Sequence, residues 1–355
     1  MKNEKILLSW FGLLNFILAC LVVLIHTYNA NSYGLIYNNG VRSTVLLFED
    51  FFSHDIAHIA VPLFFSISGY LYFRTVTYSN IKDKMARRIH TLCIPYLVWN
   101  FVYLVLFFIL SQIPFLRDNV NSLQSFNFDF NTLLSAILFH KYNYIMWFVY
   151  QLIIYVFLLS PFLIYVLNNR FLSGLVVCIL GVVYSFGFLE IPKLSEYTMA
   201  VGIFPDMLAY FIIGGILAKN DYNFSSKGMM LGGAIIIIAQ LLWLFNYSGY
   251  KLWHYNALNF AFCSLSIIGI FMALANTKTQ CPKIGWTSCS FFIFTIHPFL
   301  LECIQKLVYL ALPHNELSAL LDYVISPTVT ISICVMIAMQ MRKIAMPLYS
   351  FLGGR

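Results

Sequence analysis

The chain has 355 residues, 61% of them hydrophobic and only 10% charged, with a formal net charge of +7. A soluble domain carries about 25% charged residues, so this composition excludes a water-exposed globular protein and makes lipid the solvent for most of the surface. The positive charge follows membrane topology, as shown below, so nucleic acid is not an expected partner.

Apolar runs of spanning length recur near residues 6–28, 55–74, 91–112, 145–167, 171–189, 200–218, 228–247, 256–275, 284–304 and 320–341. The first resembles a secretion signal, with Lys2 and Lys5 ahead of it. It runs long enough to cross a bilayer, however, and reads as an uncleaved first helix. The segment 131–143 is too short and too polar to span, and is expected to be an external re-entrant or surface piece.

Orientation follows from the loops. If the N-terminus is inside, the cytoplasmic basic residues are Lys2, Lys5, Arg74, Lys82, Lys84, Arg87, Arg88, Arg170, Lys219, Lys227, Lys278, Lys283, Arg342, Lys343 and Arg355. The external set is only Arg42, Arg117, Lys141, Lys193, Lys251 and Lys306. The surplus lies on the cytoplasmic side, as the positive-inside rule requires. The expected fold is therefore all-α: a polytopic membrane protein with about ten transmembrane helices and both termini cytoplasmic. No loop is long enough for a soluble domain, and no internal repeat stands out, so residues 1–355 read as one integral membrane domain in the cell membrane.

Along the chain, His26 is the first group that can carry chemistry. It lies in the outer third of the first span, where an ionisable side chain usually faces the bundle interior and marks a function. A structural hydrogen bond at the headgroup boundary is the bland alternative. Asn15, eleven residues earlier, shares its helical face, roughly 16 Å away. His54, Asp55 and His58 precede the second span, and the histidines sit at i and i+4. That spacing can hold zinc, but further ligands are not evident, so no metal is expected. Ser66, Ser68 and Gly69, after Val61-Pro62, form a small-residue patch suited to close helix packing.

Lys82, Lys84, Arg87 and Arg88 follow on the cytoplasmic side. Such a cluster binds anionic lipid headgroups or the phosphates of a nucleotide-containing donor, for which Arg has bidentate geometry. Tyr144, Trp147 and Gln151 form a polar-aromatic stripe of the kind found in interface belts. His297-Pro298 lies inside the ninth span, where proline loosens the helix and the histidine needs a partner; Glu302 is five residues on. The eight cysteines include no CxxC pair and read as small inert thiols.

Together these segments resemble acyltransferase family 3, membrane proteins that acylate cell-surface glycans and related acceptors. The likeness is carried by FGLLNFILACLVVLIHTY at 11–28, VPLFFSISGYLYF at 61–73, KMARRIHTLCIPYLVWN at 84–100, WFVYQLIIYVFLLSPFL at 147–163 and FFIFTIHPFL at 291–300. One departure stands out. The family's first helix typically carries Arg eleven residues before its catalytic histidine, and here that position is Asn15.

The resemblance implies a membrane acyltransferase using an acyl-CoA-like donor, with acetyl-CoA expected, supplied from the cytoplasm. The acceptor is a hydroxyl of a cell-surface glycan or its lipid-linked precursor. No cofactor is bound in this scheme; acyl-CoA is a substrate. It assigns His26 as the catalytic base, with Asn15, Ser68 and His297 as substrate or oxyanion hydrogen-bond donors. Arg87 and Arg88 would hold donor phosphates, and Trp147 would line the substrate path. Two alternatives from other classes stand beside it. A transporter or flippase would use Gly214-Gly215, Gly232-Gly233, Pro205 and Pro298 to break helices. A non-catalytic relative of the family would account for Asn15. Oligomeric state is left open by the residues.

Overall fold

The computed structural model describes residues 2–30, 32–35, 43–114, 117, 126, 129–187, 202–219, 226–245 and 252–353. Outside these lie Arg42, Lys193, Lys251 and Arg355 of the charge balance, and parts of the expected spans at 188–189, 200–201 and 246–247.

Among the described residues every regular element is helical. They are α1 (Lys2–His26), α2 (Thr44–Phe73), α3 (Ile81–Ser111), α4 (Phe130–Phe139), α5 (Tyr144–Leu167), α6 (Arg170–Phe186) and α7 (Pro205–Lys219). They continue with α8 (Ser226–Phe245), α9 (Leu252–Ala275), α10 (Gly285–Ala311), α11 (Glu316–Ile344) and α12 (Met346–Gly353). Seven are long and apolar enough to cross a membrane: α1, α2, α3, α5, α9, α10 and α11. The other three expected spans fall on α6, α7 and α8. Of these, α6 has 17 residues and α7 has 15, short of the ~20 that a hydrocarbon core asks for.

The chain divides into two compact units. The first holds Met1–Val76, Leu163–Leu189 and Pro205–Gln340. Its tightest contact joins α2 to α7. A Cβ at Gly69 would land on the Phe211 carbonyl, and one at Gly214 on the Ser66 carbonyl, so the two backbones meet without side chains between them. Ser66 Oγ then donates to the Tyr210 carbonyl at 2.8 Å. The small-residue patch is thus a packing surface, as helix association in lipid favours. Gly215 lies against Leu167 and Phe73, and Gly233 against Ser266.

These glycines sit within unbroken helices, and Pro205 opens α7, where its missing N–H is no loss. The expectation of broken helices at these positions does not hold. Pro298 likewise lies inside a continuous helix.

The second unit holds Thr77–Phe162, Glu190–Phe204 and Met341–Arg355. Here α4 packs along α3 through Leu104, Phe126, Ala136, Phe107, Leu133 and Tyr142. The chain breaks after α4 at His140, which is left-handed at φ 43°, and restarts at Tyr144. Backbone groups buried at such a break need hydrogen-bond partners. Side chains of α3 supply two of them, Tyr96 OH donating to Leu138 O at 3.0 Å and Asn100 Nδ2 to Ile137 O at 3.4 Å, while Asn143 of the break donates from Nδ2 to the α3 carbonyl of Trp99 at 3.5 Å. The Trp99 indole in turn donates to Leu352 O of α12 at 3.0 Å.

Candidate active site

In the first unit α1 is an apolar helix surrounded by α2, α9 and α10. Its inward face packs Ala19 and Val23 against Ile293 and Leu301 of α10 and Cys334 of α11. This packing brings His26 to His297, with ring centroids 5.5 Å apart and planes tilted by 30°. The two histidines lie 271 positions apart in the chain, and the close packing of α1 on α10 joins them.

His297 is 0% exposed. Its Nδ1 lies 2.9 Å from the carbonyl of Ile293, one turn back on its own helix. A carbonyl only accepts, so Nδ1 carries the hydrogen and the neutral ring presents a lone pair at Nε2. That Nε2 is buried and has no hydrogen-bond partner. Leaving such an atom unpaired costs about 1–3 kcal/mol. One expectation changes here. Glu302 is not the partner of His297, since it faces outward and pairs with Lys306 at 2.7 Å.

Asn15 lies on the same helix, half-buried, with its Oδ1 buried and unpaired. Ser68 is half-buried on α2, flanked by the Ser66 and Gly69 contacts. The His54 and His58 pattern resolves differently. His54 sits 3.2 Å from Asp50 and 5.0 Å from the Tyr28 ring. Among the described residues no three potential metal ligands converge.

Arg87, Arg88 and Trp147 belong to the second unit. Arg87 is exposed and Arg88 half-buried, at the end of a turn of helix that leads through Ile89–Cys93 into the rest of α3. Trp147 meets Phe204 edge-on at 5.2 Å. Gln151 departs from the interface-belt reading: it is fully buried, donates from Nε2 to Gly202 O at 2.6 Å and accepts from Phe204 N at 3.4 Å.

Residues the sequence did not single out surround the end of α1. Glu49 is 0% exposed, and its Oε2 accepts the backbone N–H groups of Asn29 and Ala30, both at 3.0 Å. Ser53 Oγ donates to Leu24 O at 2.8 Å and lies 2.8 Å from Tyr323 OH. Gln305 Nε2 donates to Thr27 O at 2.7 Å. Asp322 receives Tyr33 OH at 3.4 Å and the hydroxyl of Ser326. One signal for this network was available: Glu49-Asp50 interrupts the apolar run VLLFEDFF.

A helical chain with seven helices long and apolar enough to cross a membrane, and a half-buried His26 against a buried His297, defines the class, a multi-pass membrane protein. The chain belongs to acyltransferase family 3: the family model described as an acyltransferase domain matches residues 8–339, nearly the whole length. No curated protein and no solved structure matches it.

Proposed function

We propose that this acyltransferase moves an acyl group, acetyl first, from cytoplasmic acyl-CoA to a hydroxyl of a cell-surface glycan or its lipid-linked precursor. The observation that carries the reading is the pairing of His26 with a fully buried His297 whose Nε2 is an unpaired acceptor. The chain sits in the cell membrane with ten spans and both termini cytoplasmic, the arrangement favoured by the basic residues. Donor phosphates meet Arg87 and Arg88 from the cytoplasm, where guanidinium groups bind phosphate bidentately.

His297 takes the role of orienting the base, accepting a hydrogen bond from one ring N–H of His26. The other His26 nitrogen removes the proton from the acceptor hydroxyl as its oxygen attacks the thioester carbonyl. The carbon–sulfur bond then breaks, and the departing CoA thiolate takes the proton back from the His26 imidazolium. The ester forms and neutral His26 is restored. Asn15 and Ser68 supply hydrogen-bonding groups to the substrate, Asn15 without the charge of the family's arginine, and Trp147 lines the donor path.

The test is the acyl content of the surface glycan in cells carrying His26→Ala. A positioned base contributes about 10²–10⁴-fold, so modification should vanish while the inserted protein persists at wild-type amounts. Wild-type acyl content in that variant would remove His26 from the reaction.

A further inference from the structure

We infer that Glu49 is a positioning residue for the reaction, holding the end of α1 so that His26 keeps its place. The inference rests on the proposed role of His26.

A helix end leaves four carbonyls without helical partners, and inside a bundle water cannot satisfy them. Directly after His26, α1 stops and the chain leaves the helix through residues 27–30. The backbone groups there are taken up by side chains from two other helices, and the turn's own Asn29 side chain ties it to a third. Ser53 of α2 donates to Leu24 O and Gln305 of α10 to Thr27 O. The Asn29 side chain reaches the Ala319 carbonyl of α11 at 3.3 Å. Glu49 contributes the contact with most leverage. One carboxylate oxygen accepts two consecutive backbone N–H groups at 3.0 Å each, only three and four residues beyond His26.

A fully buried acid beside Asp322 is an expensive choice for a merely structural cap. One acceptor held by two consecutive backbone N–H groups fixes both amides at once, so the contact makes the turn stiff. That stiffness is transmitted to a histidine whose ring must meet both a substrate hydroxyl and His297. Glu49 itself is sealed from substrate, so it acts through α1 and not on reacting atoms.

The test uses full-length protein in lipid nanodiscs with Glu49→Ala, Glu49→Asp and Glu49→Gln. The glutamine oxygen can still accept both N–H groups, whereas aspartate, one methylene shorter, keeps the charge but draws back. Hydrogen exchange at the Asn29 and Ala30 amides should speed by about tenfold or more in Ala and Asp and stay within about twofold in Gln. Glycan acylation in cells should fall by about tenfold or more in Ala and Asp and stay within about threefold in Gln, since small misplacements of a catalytic group are costly. The affinity for a non-hydrolysable thioether analogue of acetyl-CoA should remain within about twofold throughout. If Glu49→Ala does not accumulate, Glu49→Asp carries the comparison.

Loss of acylation in Glu49→Gln with its amides still protected would overturn positioning and place the charge in the chemistry. Wild-type acylation in Glu49→Asp with fast-exchanging amides would overturn it from the other side. If His26→Ala proves fully active, the role of His26 falls instead, and the exchange data still report whether Glu49 holds the turn.

Discussion

Two buried histidines in this molecule meet opposite fates. His140, in the second unit, closes the break after α4. Its Nδ1 lies 3.3 Å from Tyr96 OH, whose hydrogen goes to Leu138 O, so the ring donates to the phenol oxygen. Rings of Tyr96 and Tyr150 pack around it at 6.3 and 5.7 Å. His297, in the first unit, spends Nδ1 on its own helix and leaves Nε2 buried and unpaired beside His26. Burial alone does not separate a structural histidine from a functional one. On the proposed mechanism, what separates them is that the lone pair left over on His297 lies beside His26, the proposed base.

The comparison would break most visibly at His297. His297→Phe keeps the ring's bulk and removes both nitrogens. Acyl transfer should fall by about 10²-fold, the scale expected when a base loses its orienting partner. Thermal stability in nanodiscs should hold or rise, because the unpaired nitrogen is gone. The pairing of lost transfer with retained melting temperature is the signature to look for. A variant that stays active would show that His297 is packing material, and a strongly destabilised one would show that Nε2 has a structural partner.

These sites were legible to different degrees from the chain alone. Hydropathy places α1, α2, α3, α5, α9, α10 and α11, because a long apolar run in lipid has few alternatives to a helix. His26 and His297 stand out because ionisable groups are costly there. Their pairing does not, since it depends on which face of α10 meets α1. Gly214 shows the same limit. Beside Gly215 it looked like a helix breaker, and only the Ser66 carbonyl against it shows why a side chain is excluded. Glu49 was hidden differently. An acid just ahead of a span reads as loop, and its burial follows from the turn at Asn29–Ala30 folding onto it. The segment 131–143 reads as an external re-entrant or surface piece, and the structure adds that it holds a ten-residue helix, α4, packed along α3.

A smaller effect belongs to His140 and to acid. Burial holds its pKa down at about 4, against an ordinary value of 6.5. Between those pH values the unfolded chain binds a proton that the folded one refuses, so stability rises with pH across the window. It is complete above about pH 6.5 and is lost progressively as pH falls towards 4. Melting temperature measured from pH 7.5 to 4.5 should therefore decline on the acid side. His140→Phe should flatten that part of the decline, start from a lower stability at pH 7.5 and leave acyl transfer near the wild-type rate. An unchanged acid slope in the variant would assign the decline to other groups.

The smallest expected effect is also the most local. Tyr96 is 5% exposed and serves two masters at the break: it donates to Leu138 O and receives His140 Nδ1–H. Tyr96→Phe removes the oxygen and nothing else, so the ring contacts with His140 and Tyr150 persist. A carbonyl and a ring N–H are then left without their partner in a place shut off from solvent. Each such loss costs about 1–3 kcal/mol if nothing relaxes. The left-handed His140 hinge can shift to recover part of it, so the net cost should lie near the low end, about 1 kcal/mol, seen as a small drop in melting temperature. Because the damage is confined to the break, Tyr96→Phe and His140→Phe should not add: each already destroys the one bond between them. Additive losses in the double variant would mean that the phenol and the imidazole are satisfied independently. His140 would then no longer be an example of a histidine whose hydrogen bonding is spent on structure.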